Sequence, residues 1–335
     1  MQDSTRLRIR RALVAGAGLA AAGAAGLMPF AAQAQPDTWP SKPLRLIVNF
    51  PPGSSPDVLA RAISLPLQQA IGQPVVVENR AGASGMIGAD LVAKAAPDGY
   101  TLLMTAGSTI TTNPFIYPKM AYDTARDLVP VAAAARIALF LEVRPELPVK
   151  NFAEFLAYLK ANPGRLSYGS AGNATGLHLA GEMLKSQAGV DAVHVPYKGA
   201  SPALQDLLAG QIDFYFDPGI ALGQVRAGKL RMLGVATLQR SSAFPDIPTL
   251  DEAGLKGFDA GTTHGFYVPA GTPPDIVARL NREINKTLAL PSVRTQIAAI
   301  GAEPSPLTPA QFAALMADDA RRYGEIIKER NIRAD

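Results

Sequence analysis

Four short segments rich in glycine, serine and threonine carry most of this chain's capacity for chemistry. They are PPGSSPD (Pro51–Asp57), AGSTITTN (Ala106–Asn113), GSAGNATG (Gly169–Gly176) and PYKGAS (Pro196–Ser201). Small residues let backbone N–H groups approach a bound molecule, and a helix that starts just behind such a loop adds partial positive charge suited to an anion. The hydroxyls of Ser54, Ser55, Ser108, Ser170 and Thr175 supply further hydrogen bonds. Such a set can hold a carboxylate without a lysine or arginine clamp. The competing reading is that each loop only makes a turn and a cap; four at corresponding strand ends weaken it. Two carboxylates stand at the same kind of junction. Asp57 either caps the helix behind it or accepts a hydrogen bond from a ligand amine, hydroxyl or water, and Asp217 poses the same choice.

Other chemistries find little footing. Gly16-Ala17-Gly18-Leu19-Ala20-Ala21 fits a dinucleotide fingerprint only nominally, because it lies in a leader segment. Gly82-Ala83-Ser84-Gly85-Met86 approaches a nucleophile elbow but has methionine where the last glycine belongs. The three histidines, His178, His194 and His264, lack metal-ligand spacing, and the chain has no cysteine. Each reads as a hydrogen-bonded structural residue. His178, in the first turn after Gly176, is the one nearest a candidate loop. No metal and no cofactor is expected.

The elements that must position these loops alternate. Strands are expected at Leu44–Phe50, Val75–Val77, Tyr100–Thr105, Ala138–Val143, Leu166–Tyr168, Ala192–Val195, Ile212–Phe216, Leu230–Ala236 and Gly265–Val268. Helices are expected from Asp57 onward, with Pro66 kinking or ending the first one, and at Met86–Ala96, Phe152–Ala161, Gly176–Ala188, Ser201–Ala209 and Ile220–Ala227. A further helix starts at Pro273-Pro274-Asp275, and two more lie near Ser292–Ile300 and Pro309–Glu329. Strand and helix in alternation argue for parallel β-α-β units.

Composition narrows the setting. The 335 residues are 48% hydrophobic, enough for two globular domains or one large one. Residues 1–34 read as an export signal, with Arg6, Arg8, Arg10 and Arg11 ahead of an apolar run and Ala32-Gln33-Ala34 as the cleavage site. Arg10-Arg11 is compatible with the twin-arginine route as well as the Sec route. Cleavage after Ala34 removes four arginines and Asp3, taking the net charge from +4 to +1. The basic balance belongs to the leader, so nucleic acid is not an expected partner. Without cysteine the fold must rest on its core, even in an oxidising periplasm.

In order along the chain, WPSKPLRLIVNFPPG, GQPVVVENRAGASGMIGADLVAKAAPDGYTLL, LSYGSAGNATGLHLAGE, HVPYKGASPALQDLLAGQIDFYF and VPAGTPPDIVARLN resemble one family. It is the extracytoplasmic solute-binding receptors of tripartite tricarboxylate transporters, also called Bordetella uptake gene proteins. The resemblance spans almost the whole mature chain. It implies an α/β, two-lobed periplasmic-binding-protein fold (type II-like), with two doubly wound sheets, a hinge and an interlobe cleft. Lobe 1 would comprise 36–138 and 263–335, and lobe 2 would comprise 139–262.

Carried over from the family, the first-lobe grip falls on Pro52, Gly53, Ser54, Ser55 and Asp57. The second-lobe grip falls on Ser170, Ala171, Gly172, Asn173 and Thr175, with Tyr197, Lys198 and Gly199 lining the cleft. Ser108, His178 and Asp217 complete the candidate set. The implied ligand is a small organic acid, and the implied partners are the permease subunits of a tripartite tricarboxylate-type transporter, with the receptor itself a monomer. A sensor feeding a membrane signalling receptor is the alternative; a hydrolase working through Ser84 or Ser170 is a third reading. Ser54 departs from the family's usual Gly-Gly after Pro-Pro, and Pro56 stiffens the loop. Thr262-Thr263-His264-Gly265 stands where many relatives carry tryptophan, so His264 can enlarge, polarise or make pH-sensitive a wall that is usually aromatic.

Overall fold

The computed structural model describes residues 39–329 and 331–333, so the expected signal peptide lies outside the described residues. From Trp39 onward the chain forms one compact unit built on two sheets. In the first sheet β1 (Leu44–Val48) pairs in parallel with β2 (Val75–Asn79) and β3 (Thr101–Thr105). The other members are β4 (Leu128–Ile137), β10 (Thr262–Pro269) and β11 (Ala302–Pro304), in the order β11-β4-β10-β3-β1-β2. The second sheet contains β5 (Phe140–Val143), β6 (Ser167–Ser170), β7 (Val193–Pro196), β8 (Phe214–Asp217) and β9 (Arg231–Val235), ordered β7-β6-β8-β5-β9.

The sheets are mixed rather than purely parallel. β10 runs antiparallel to β3 and β4, and β5 runs antiparallel to β8 and β9. These are the strands that follow the two crossings between sheets, at Ile137–Phe140 and Val235–Thr262, where the chain enters a sheet from its far end.

Local sequence explains most elements. β1 reads LRLIV, a near-continuous apolar run suited to a strand covered on both faces. The helix α1 (Ser55–Ile71) buries Leu59, Ile63, Leu67 and Ile71 as one stripe and ends at Gly72, whose positive φ allows a left-handed cap. Pro66 lies inside α1 and neither ends nor splits it. It removes one N–H donor, but the apolar stripe continues on both sides and keeps the turns docked. The other helices are α2 (Met86–Ala93), α3 (Ser108–Thr111), α4 (Asn113–Ile116), α5 (Phe152–Ala161), α6 (Gly176–Ala188), α7 (Ala200–Leu208), α8 (Leu222–Arg226), α9 (Pro274–Leu288), α10 (Pro291–Ala299) and α11 (Pro309–Glu329).

Each sheet has its own core. One centres on Leu46, Val48, Met104, Phe266 and the inner face of α9; the other on Phe155, Tyr168, Phe214 and Phe216. α11 serves both halves. Its first turns bury Phe312 and Met316 beside β3 and β10, and its last turns place Tyr323 and Ile327 in the second core. Tyr323 Oη donates to Gly261 O at 2.9 Å, fixing that end to the segment leading into β10. The helix thus starts in the first core and its C-terminal turns pack against the second.

Candidate functional site

The loop after β1 is built to hold one shape. Gly53 has φ +77°, a turn conformation that other residues adopt only with strain, and Ser54 folds back so that its N–H and hydroxyl both donate to Pro51 O. Behind it Asp57 acts as a staple. Its carboxylate accepts from Gly53 N–H at 2.9 Å, from Asn79 Nδ2 at 2.8 Å and from Arg61 Nε at 3.0 Å. Burial alone would raise this carboxyl, but the bonds from Arg61, Gly53 and Asn79 outweigh it and hold it below the ordinary carboxylate range.

Asp57 is thus not the N-cap, a position taken by Ser54, and its oxygens accept from Gly53, Asn79 and Arg61. Asp57→Asn should cost about 1–3 kcal/mol, because the charge-assisted bonds to Arg61 and Gly53 are weakened in a buried site. Chemical denaturation at neutral pH checks this. The stabilisation is present above the ordinary aspartate pKa and fades as pH falls through the lowered folded value, so the wild-type advantage should shrink in acid.

The facing loop after β6 is also tied internally. Ser170 Oγ donates to Gly172 O at 3.0 Å and lies 2.7 Å from His194 Nε2, while Thr175 Oγ1 donates to Gly172 O. His178 does not reach the loop's open side. Its Nδ1 accepts from Ala174 N–H, and its ring stacks on His194 at 3.8 Å between centroids. Tyr197 Oη donates to Asp206 at 2.6 Å, which turns it along α7, and Lys198 is exposed. Asp217 accepts from Ile220 and Ala221 N–H, so it caps the turn after β8 and the capping choice is the one realised.

The two halves touch across the gap between the sheets, each loop being met by a different segment of the facing half. Ser84 Oγ donates to Asn173 O at 2.8 Å, Thr112 Oγ1 donates to Ala174 O, and Ser201 Oγ donates to Pro52 O at 3.4 Å. Ser84 sits at φ +50°, a conformation that costs energy for a residue with a side chain. Its hydroxyl is taken up by Asn173 and Tyr117 rather than poised beside a histidine, which leaves the elbow-like sequence a structural contact.

Between the two halves lies a small cavity of about 30 Å³. From the first sheet come Phe50, Ser54, Ser55, Pro56, Ala106, Ser108, Thr262 and His264. From the second come Ala171, Thr175, Gly176, Leu177, Ala200 and Pro218, with Leu139 of the first crossing at the join. The cavity therefore sits beyond the carboxyl ends of β1, β3, β6, β7 and β8, the expected place for a ligand in such sheets. It faces the N-terminal turns of α1, α6 and α7, whose leading N–H groups have no acceptor within their own helices.

Of the expected residues, Ser54, Ser55, Ser108, Ala171 and Thr175 line this space. Pro52, Gly53, Asp57, Ser170, Gly172, Asn173, His178, Tyr197, Lys198, Gly199 and Asp217 stand outside the lining. No Lys, Arg, Asp or Glu belongs to the lining among the described residues. His264, in contact with Ser55 Oγ through Nε2 at 2.9 Å, is neutral: burial lowers its pKa from 6.5 to about 3. The apolar wall of Phe50, Leu139, Leu177 and Pro218 escaped sequence reasoning, since such residues look like any core; only their places beside loops and crossings could have marked them. Among the described residues no group of three or more His, Asp or Glu side chains is placed to hold a metal ion, and no helix is long and apolar enough to cross a membrane.

Two α/β halves with an uncharged cleft of hydroxyls and apolar side chains at facing strand ends give a two-lobed periplasmic-binding-protein fold. Residues 59–332 match the family described as "Tripartite tricarboxylate transporter family receptor", TctC, and the chain belongs to that family. BugT of Bordetella pertussis (strain Tohama I) is 38% identical over 302 residues, covering 89% of this chain and 92% of BugT. Rpa4515 of R. palustris, solved with adipate, is 34% identical with a TM-score of 0.86, over 89% of this chain and all of that one. MatC of Rhodopseudomonas palustris, with bound malate, is 33% identical with a TM-score of 0.81, over 86% of this chain and all of that one. A chain from Polaromonas described as a TctC solute binding protein is 31% identical with a TM-score of 0.67, over 87% of this chain and all of that one.

Proposed function

We propose that this protein is an exported, periplasmic receptor that closes over one small organic carboxylate and delivers it to the permease subunits of a tripartite tricarboxylate-type transporter. The signal peptide, residues 1–34, is removed after Ala34. Lobe 1 consists of 36–138 and 263–335, lobe 2 consists of 139–262, and the two crossings form the hinge. The observation that carries this reading is the cavity itself, lined from both sheets by hydroxyls and helix N-termini and by no charged side chain. A carboxylate there meets several oriented dipoles at once, and closure strengthens each by excluding water. The adipate and malate bound to relatives support the ligand class. The residues outside the lining act in support: Asp57 and Gly53 hold one jaw, Ser170, Gly172 and Asn173 the other, and Tyr197 and Gly199 the start of α7.

A thermal-shift screen of the mature chain with adipate, malate, succinate, lactate and citrate tests the reading. At 100 times its dissociation constant a ligand adds about 2.7 kcal/mol, a rise of about 4 °C for a chain of this size. A shift by at least one acid, followed by loss of that acid's uptake on deletion of the gene, is the expected result. No shift by any of them, with no acid co-purifying, would overturn it.

A further inference from the structure

His264 lies within β10, forms part of the cavity wall and is 2% exposed. Its two ring nitrogens are in different situations. Nε2 is in hydrogen-bond contact with Ser55 Oγ, whereas Nδ1 is buried with no hydrogen-bond partner in the protein. Unpaired buried polar atoms are rare in native interiors because each costs the loss of its hydration. One in the wall of a ligand cavity points to a group that arrives with the ligand. Ser55 lines the same cavity, so both partners of this contact border the space a ligand would fill.

We propose that Ser55 and His264 form a hydrogen-bond relay that reads a neutral polar oxygen, a hydroxyl or oxo group, on the bound acid, so that this receptor prefers hydroxy and oxo acids to unsubstituted ones. The proposal rests on the carboxylate-receptor reading above. A neutral imidazole carries one donor and one acceptor. If Nε2–H donates to Ser55, the serine hydroxyl is free to donate to the carboxylate and Nδ1 needs a donor, which a ligand hydroxyl supplies. If Ser55 donates to Nε2, Nδ1–H needs an acceptor, which a hydroxyl or oxo oxygen supplies. A methylene at this place satisfies neither arrangement and leaves Nδ1 orphaned. A second carboxylate can only accept, so it meets the Nδ1–H arrangement alone, whereas a hydroxyl meets either.

The test measures affinities for two matched pairs, lactate against propionate and malate against succinate, by calorimetry on the mature chain. The hydroxy member of each pair should bind at least tenfold tighter. His264→Phe should bring each ratio to within twofold, whatever it does to the absolute affinities. If that variant does not fold, Ser55→Ala removes the Nε2 partner and should cut each ratio at least threefold. Ratios near one in the wild type, or ratios unchanged in the folded variants, overturn the relay and leave the carboxylate reading standing. Binding of adipate without binding of either hydroxy acid also overturns the relay alone. Binding of none of these acids overturns both.

Discussion

Glu142→Gln is expected to melt higher than the wild type once the pH passes the ordinary glutamate range, by a margin that grows by up to about 1.4 kcal/mol per pH unit until the folded carboxyl itself ionises. Glu142 sits in β5 between Tyr215 and Met232, fully buried, and neither carboxyl oxygen has a hydrogen-bond partner in the protein. Burial, and then the nearby Asp217 carboxylate, raise its pKa well above the ordinary 4.5. The folded chain therefore keeps a proton that the unfolded chain gives up. Stability from this group is fully present below pH 4.5 and is lost as pH rises. Glutamine cannot ionise, so the substitution removes that slope. For about 300 residues, each kcal/mol corresponds to about 1.5–2 °C in melting temperature.

Two other groups shape the wild-type profile and give the test its contrast. Burial also raises Asp217, against the lowering effect of the N–H groups of Ala221, Ile220 and Gly219, so its contribution falls with pH in the same direction. His264 acts oppositely. Its folded pKa is about 3 against 6.5 when exposed, so its contribution is present above 6.5 and is lost as pH falls towards 3. Between pH 4.5 and 6.5 the slopes oppose one another, and above 6.5 the histidine no longer compensates. Wild-type melting temperature should then decline between pH 6.5 and 8.5, and the decline should be visibly shallower in Glu142→Gln. Parallel profiles for the two proteins would show that Glu142 ionises normally in the fold. Asp217 directly precedes Pro218 of the cavity wall, which places this stored instability just beneath the cleft.

What was readable in the chain follows from which forces are local. Glycine, serine and proline mark loops by backbone preference, so both jaws could be placed from PPGSSPD and GSAGNATG. The helices Phe152–Ala161, Gly176–Ala188 and Pro309–Glu329 were legible to the residue because caps and apolar stripes agree there. β4 was not legible. Its run VAAAA has low strand preference and helix-like composition, and only burial of Ala132 to Ala135 between β10 and β11 makes it a strand. Asp57 was visible as a polar residue at a junction, but its role depends on Asn79, which reaches it from β2 across the sheet. The His178–His194 stack likewise joins α6 to β7 and leaves no trace in residue spacing.

Gly199→Val should weaken binding of any acid that shifts the wild type by at least 100-fold while leaving the open protein folded. Gly199 precedes α7 with φ +147°, and a Cβ built there would lie 2.6 Å from Pro51 Cγ and 2.8 Å from its Cδ. Pro51 belongs to the opposite half, so on the proposed closure the collision exists only when the halves meet. The backbone strain, about 1–3 kcal/mol, is present whether the jaws are apart or together. It lowers stability without favouring either form, whereas the wedge falls wholly on the closed form that holds the ligand. A 100-fold loss corresponds to about 2.7 kcal/mol, within the cost of forcing a branched side chain into a packed contact.

Gly210→Val separates the two effects. Gly210 has φ +72° and nothing within 4 Å of its Cβ position, so it carries strain without a facing jaw. That control should melt lower yet keep wild-type affinity. Calorimetry gives the affinities, and small-angle scattering with and without the acid shows whether the chain still contracts. Tight binding with normal contraction in Gly199→Val would mean that the contact between Pro51 and Gly199 is not part of closure. Weak binding in both variants would mean that strain in this half, rather than the meeting of the jaws, sets affinity.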